Sequence, residues 1–317
     1  MRLIAKQIDA LEKIDVPLSK QDDFDSFWEY TLEKVDKHNP ELKMKELSDY
    51  PLKEVTVYNS VFHGLDQTPI KTWILLPGKV LTENVPVIVW FHGGNRSREE
   101  PFNHLYWLAA GFAVIAMDFR QQGGQTGSNT PMTRCGGHSF SVMNIENYKS
   151  YYLYHAWTDA LIAIKLAEMV PGIDREKVAV AGSSQGGGTA LVMAALNHQI
   201  NFCLAAVPSF CWWEKRISIR SGCAKDIAAY IEKNPDNIEN VYRTMSYYDV
   251  INFVDKIKCP VVFSCGFNDQ DTPASCVYAA YNKISSKKIM HNYPAGGHTL
   301  EPKEIENWLR FATASFM

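Results

Sequence analysis

The sequence has no run of like charge, no long apolar run and no paired-cysteine motif, and each absence narrows what the chain can be. Its 32 Lys and Arg against 35 Asp and Glu leave a net charge of −3, mixed along the chain, so neither nucleic acid nor an anionic membrane surface is expected as a partner. No apolar stretch approaches the roughly 20 residues of a membrane span. Met1-Arg2-Leu3-Ile4-Ala5-Lys6-Gln7-Ile8-Asp9 is charged too early and too often for a secretory apolar core. The seven cysteines (Cys135, Cys203, Cys211, Cys223, Cys259, Cys265, Cys276) are odd in number and lack C-x-x-C or Cys/His metal spacing. They read as reduced, mostly buried thiols of a cytoplasmic protein, and no metal or organic cofactor is expected. Repeats and low-complexity tracts are also missing. What is plentiful is apolar residue: 46% of 317, with 12% aromatic, enough for one large core over residues 1–317.

The most informative stretch is Val178-Ala179-Val180-Ala181 followed by Gly182-Ser183-Ser184-Gln185-Gly186 and a small-residue run. An apolar β-branched strand, a tight turn and a helix in this order form a nucleophile elbow, the setting of an α/β-hydrolase. Gly182 and Gly186 are small because strand and helix pass too close for side chains. Ser184 then stands above the sheet, and the N–H of Gln185 points where an oxyanion would form.

Along the chain, residues 1–23 read as a loosely attached segment of an N-terminal arm covering about residues 1–50. The spacing predicts a helix over 23–35 behind an Asp23 cap, ended by His38-Asn39-Pro40. Residues 55–62 and 70–77 predict an antiparallel hairpin. Continuous apolar runs at 86–91, 112–117, 202–207 and 259–266 predict strands buried on both faces, alternating with helices over 150–169, 187–196 and 274–284. A strand over 288–293 and a final helix over 301–316 complete a mostly parallel sheet with helices on both faces. The Gly-, Ser- and Asn-rich segment 121–148, with Cys135-Gly136-Gly137-His138, suits an ordered loop over a site. Residues 208–255 turn helical and amphipathic and predict a cap insertion, with Trp212 and Trp213 as candidate substrate contacts beside Phe91.

A serine hydroxyl needs a base, and the base an orienting carboxylate, in the chain order Ser, Asp/Glu, His. After Ser184 only His198, His291 and His298 remain of nine histidines. His198 ends the elbow helix and His291 lies inside a strand, whereas His298 sits in the glycine-rich loop where the base belongs. Asp269 and Asp271 both follow the penultimate strand; Asp269 has the Gly-x-x-Asp placement, and Asp271 is better explained as a cap of the next helix. After the strand 86–91, Gly94 in His92-Gly93-Gly94-Asn95 supplies the second oxyanion N–H, and His92 reads as structural. No metal is called for. Ser184, Asp269 and His298 are thus the candidate catalytic residues and Gln185 and Gly94 the candidate oxyanion hole.

These residues resemble the acetyl xylan esterase/cephalosporin C deacetylase family, carbohydrate esterase family seven. The likeness runs through Phe24-Asp25-Ser26-Phe27-Trp28, Arg120-Gln121-Gln122-Gly123, the elbow with Gln185, Ser246-Tyr247-Tyr248-Asp249, and Asp269 with Thr272-Pro273-Ala274-Ser275. It implies an α/β-hydrolase that releases acetate from small acetylated sugars and acetylated cephalosporins through a Ser-His-Asp acyl-enzyme, in the cytoplasm. It also implies a homo-oligomer, a hexameric ring, with a dimer as the other possibility. Three positions depart. The family's Arg-Gly-Gln reads Arg120-Gln121-Gln122, its His-Glu reads His298-Thr299, and its Gly-Tyr-Asn reads Gly93-Gly94-Asn95. The last removes an aromatic ring beside the acyl pocket. An open Gly94 position favours the alternative of a longer-acyl esterase or a peptidase on the same fold. A binding protein without catalysis is the third reading, opposed by the complete Ser, Asp, His set.

Overall fold

The computed structural model describes residues 2–78, 83–133 and 139–316. Its nine strands are β1 Lys43–Glu46, β2 Val55–His63, β3 Pro69–Pro77, β4 Val85–Phe91, β5 Ala113–Met117, β6 Ile173–Ser183, β7 Phe202–Ala206, β8 Val261–Gly266 and β9 Lys288–Tyr293. They form one sheet in the order β1-β2-β3-β5-β4-β6-β7-β8-β9. The first three pairings are antiparallel and the rest parallel. The helices are α1 Arg2–Leu11, α2 Phe24–Lys37, α3 Leu105–Ala109, α4 Tyr152–Lys165, α5 Gln185–Leu196, α6 Trp213–Ser218, α7 Ala224–Lys233, α8 Ile238–Tyr247, α9 Ala274–Lys283 and α10 Pro302–Phe316. This is the α/β-hydrolase fold expected from the alternation of strand and helix.

The apolar strands are continuous because each buries both faces. Successive residues point to opposite sides, so Val87, Val89 and Phe91 of β4 join one core with Ile115, Val180 and the residues of α4, α5 and α9. Ile88 and Trp90 join the other, with Val114, Ala181 and Trp308 of α10. Phe91 is therefore a core residue, fully buried, and does not line the cavity beside Ser184; the sequence-based expectation of a substrate contact there is corrected.

Two local expectations change at the N-terminus. Asp23 precedes α2 but makes no side-chain cap hydrogen bond. Its carboxylate instead accepts from the hydroxyls of Tyr247 and Tyr148, which anchors the helix to the remote α8 region. Residues 1–23 are not loosely attached in their described part. Leu11 and Val16 are buried, and Asn282 of α9 donates to the carbonyls of Leu11 (3.0 Å) and Ile14 (2.8 Å). An amphipathic ten-residue helix is marginal alone, and docking on α9 is what stabilises it.

Among the described residues no helix is long and apolar enough to cross a membrane. The six cysteines among the described residues are free, and burial pushes their thiols up, to about 11 at Cys259 and about 12 at Cys265. Cys135, with Gly136, Gly137 and His138, lies outside the described residues.

Candidate active site

The parallel strands all end on one side of the sheet, and three loops leaving that edge converge. Ser184 follows β6, Asp269 follows β8, and His298 follows β9. The elbow is as tight as its glycines imply. A Cβ on Gly186 would lie 1.8 Å from the carbonyl oxygen of Phe91, and one on Gly182 would lie 2.4 Å from the Gly186 carbonyl carbon. Ser184 itself takes φ 57°, ψ −116°, a conformation that costs an L-residue about 1–3 kcal/mol. It is held there by its N–H donating to Ala206 O (2.9 Å) and its carbonyl accepting from Ser209 (2.8 Å) and Gly188 (3.0 Å).

Ser184 Oγ lies 2.8 Å from His298 Nε2, and His298 Nδ1 lies 2.8 Å from Asp269 Oδ2. With Nδ1–H donating to the carboxylate, Nε2 carries the lone pair that faces the serine. Asp269 is buried, which opposes its ionisation. The hydrogen bond from His298 and the donors of Thr272 outweigh that and hold its pKa below the usual carboxylate range. Its Oδ1 accepts the N–H groups of Asp271 and Thr272, both at 2.8 Å, and its Oδ2 accepts from the Thr272 hydroxyl at 2.7 Å. Asp269 thus caps its own loop. Asp271 does not cap α9, which begins behind Pro273 without a side-chain cap; its side chain is exposed at the cavity. The Thr272 hydroxyl also lies 3.1 Å from the carbonyl of Val207, a β-branched residue at φ 38°. Strained backbone after β7 is thereby pinned against the Asp269 loop.

The candidate oxyanion residues Gly94 and Gln185 both line this cavity. Neither N–H is used in a hydrogen bond among the described residues. Gln122 connects the two loops. Its Oε1 accepts from the N–H of Asn95 at 2.7 Å, and its Nε2 donates to Gln185 Oε1 at 2.9 Å and to the Tyr152 hydroxyl at 2.7 Å. Gln121, where the resembled family has glycine, takes φ 52°. The cost of this left-handed conformation is carried by a residue that does not favour it. Arg120 is buried between Asp159 (2.8 Å) and Asp66 (2.9 Å) and holds the base of the same loop. His92 is structural: Nε2 accepts from the Phe119 N–H (2.9 Å), Nδ1 donates to Gly93 O (2.7 Å), and burial lowers its pKa to about 4.

The cavity has a volume of about 940 Å³. Helix α7 and the turn before it, from the expected cap segment, supply Cys223, Lys225, Asp226, Tyr230 and Lys233 to its wall. The two tryptophans of that segment do not line it. Trp213 is buried, donating Nε1–H to Tyr248 O (2.9 Å) and stacking on Phe210, while Trp212 is packed against the core. Both backbone N–H groups bind the buried Asp249 carboxylate, which turns these side chains toward the core. The expectation that they contact substrate is corrected. The cavity residue that sequence reasoning missed is Phe140, on a single turn of 3-10 helix, Phe140–Val142. Nothing in the sequence pairs Phe140 with Gly94; only the missing aromatic side chain at position 94 marked the place. Among the described residues no group of three or more His, Cys, Asp or Glu could hold a metal ion.

Residues 1–314 match the model of a family described as acetyl xylan esterase (AXE1). An acetyl esterase from Xylanibacter ruminicola is 24% identical over 298 residues, 87% of this chain. The match covers 63% of that curated relative's length. An acetyl xylan esterase from Paenibacillus sp. R4 superposes with a TM-score of 0.92 at 30% identity, covering 96% of this chain and 98% of its own. Acetyl xylan esterase 1 from Thermoanaerobacterium sp. JW/SL YS485 does so with a TM-score of 0.91 at 26% identity, covering 98% of each chain.

Proposed function

Because this chain belongs to the acetyl xylan esterase family, and so to an esterase family, we propose that it is a serine carboxylic-ester hydrolase that removes acetyl groups from acetylated sugars or related small molecules. Ser184 is the nucleophile, His298 the general base and acid, and Asp269 its orienting carboxylate. The observation that carries the reading is the pair of 2.8 Å contacts from Ser184 through His298 to Asp269 at the tip of the elbow.

Ser184 Oγ attacks the ester carbonyl carbon as its proton passes to His298 Nε2. The carbonyl oxygen gains the negative charge, and the N–H groups of Gln185 and Gly94 hold it; one such donor is typically worth about 2.7–4 kcal/mol. His298 returns the proton to the departing alcohol oxygen as the C–O bond breaks, leaving acetyl-Ser184. Water, deprotonated by His298, attacks this ester in turn, and acetate leaves with Ser184 restored. Asp269 remains ionised throughout, as its lowered pKa favours, and stabilises the imidazolium that forms twice per cycle. The cavity wall also carries Arg96, Glu99, Lys225, Asp226 and Lys233, donors and acceptors suited to a hydroxyl-rich alcohol.

The test is acetate release from a panel of acetylated sugars by the purified enzyme and by Ser184→Ala, with a fluorophosphonate label as a count of active serines. Acetate release that disappears in Ser184→Ala supports the reading; turnover that survives the substitution overturns it.

A further inference from the structure

The position of Gly94 is not open. A Cβ built there would lie 3.2 Å from Cε1 and 3.6 Å from Cζ of Phe140, tighter than ordinary carbon contact at the first atom. The ring stands against one oxyanion residue, and that residue is itself beside the other, since the same Cβ would lie 3.6 Å from Gln185 Oε1. Phe140 lines the cavity with Ser184 and is 4% exposed.

The ring cannot easily retreat. It packs on Tyr152 with centroids 5.2 Å apart and meets Phe210 edge-on at 6.4 Å. Tyr152 is fully buried, with its hydroxyl donating to Arg120 O (2.9 Å). Phe210 is likewise buried and stacks on Trp213 at 5.5 Å. The 3-10 turn that carries Phe140 is tied down by Ser141, whose hydroxyl donates to Cys223 O (3.0 Å) and whose carbonyl accepts from the Tyr151 hydroxyl (2.9 Å).

An ester in the cavity divides its two halves by chemistry. The carbonyl oxygen sits at the N–H groups of Gly94 and Gln185, and the alcohol must reach His298 Nε2 to be protonated. The acyl group is left the rest of the cavity beside the oxyanion residues, where the ring against Gly94 is Phe140 and Val142 lies in the same wall. We propose that Phe140 closes the acyl subsite and sets acyl-chain length, the braced ring beside Gly94 admitting acetyl and excluding longer chains. This rests on the Ser184 reading above and turns its substrate class into a statement about the acyl half: short chains, despite the glycine at position 94.

Rates on p-nitrophenyl acetate, butyrate and hexanoate test it, each normalised to active sites counted by fluorophosphonate labelling. In Phe140→Ala the ratio of kcat/KM for hexanoate to that for acetate is expected to rise at least about tenfold, the usual scale for a few methylenes gaining an apolar pocket. Phe140→Leu, which keeps the core filled, is expected to move the ratio in the same direction for butyrate. Gly94→Ala is expected to lower kcat/KM for acetate by about tenfold or more, because its methyl meets the ring and shifts the oxyanion loop. Adding Phe140→Ala to Gly94→Ala is expected to restore part of that loss. A ratio that stays at the parent value in both Phe140 variants, with full labelling, overturns the inference while leaving the serine esterase intact. A parent enzyme that takes no label at Ser184 overturns the reading on which it rests.

Discussion

Gln122 donates through Nε2 to Gln185 Oε1 at 2.9 Å, so the loop after β5 is bonded to the first residue of the elbow helix. The same side chain accepts from the N–H of Asn95, the neighbour of Gly94, at 2.7 Å. One amide therefore sets the spacing between the two groups proposed to hold the oxyanion, without itself facing the reacting carbonyl. Gln122→Ala is expected to lower kcat on p-nitrophenyl acetate about 10- to 100-fold with little change in KM, since misplacement of a donor by about 1 Å is felt mainly in the transition state. Steady-state kinetics measure both constants. A loss confined to KM would mean that Gln122 holds substrate rather than the oxyanion loops.

Ser184→Ala and His298→Ala are each expected to reduce kcat by at least about 10³-fold, and the double substitution to cost hardly more than either alone. Groups that work as one proton relay lose their function together. Additive losses in kcat would show that the two act independently.

Gly186→Ala is expected to destabilise the fold by at least about 3 kcal/mol or to prevent soluble expression, because its methyl would sit 1.8 Å from the Phe91 carbonyl oxygen. The Phe91 and His92 carbonyls it would meet are backbone at the end of β4 and cannot yield. Urea denaturation, or the yield of folded protein, measures it, and a midpoint like the parent's would show that the elbow can open.

Acid should destabilise the protein through three buried histidines, an effect that Asp249, raised by burial to about 6, offsets only in part. Burial lowers the pKa of His92, His104 and His155 to about 4, from an ordinary 6.5. Between those values the unfolded chain binds more protons than the folded one, so stability rises with pH across the window and falls as pH drops from about 6.5 toward 4. Each histidine contributes up to about 1.4 kcal/mol per pH unit there. Urea midpoints should fall between about pH 7 and pH 5, and less steeply in His104→Gln, which removes one of the titrating groups. Equal slopes in the two proteins would show that His104 titrates normally in the folded state.

Most of the fold was legible because strands buried on both faces must be continuously apolar and helices packed on one face must be periodic. Ser184, His298 and Asp269 could be proposed from the chain because the elbow needs its glycines next to the nucleophile and strand order dictates where the partners fall. The aromatic residues were not legible in the same way. Phe91, Trp212 and Trp213 sit near the right loops in sequence, but strand alternation sends Phe91 into the core, and the buried Asp249 turns the backbone at both tryptophans. Asp23 and Asp271 look like helix caps by position, yet one is taken by two tyrosine hydroxyls from distant segments and the other is displaced by Asp269, whose carboxylate captures the N–H groups of Asp271 and Thr272.

By itself, then, the sequence determined what local rules control: the alternation of strand and helix, the close-packed elbow around Ser184, and the order in which the other two polar residues follow. Tertiary structure alone decided which ring stands beside Gly94. Phe140 and Gly94 are far apart in the chain, and their contact depends on how a loop of mixed composition packs against Tyr152 and Phe210. Such a contact has no periodicity to announce it. It follows from the shape of the space that the rest of the fold leaves, and on the reading argued above that space is what selects the acyl group.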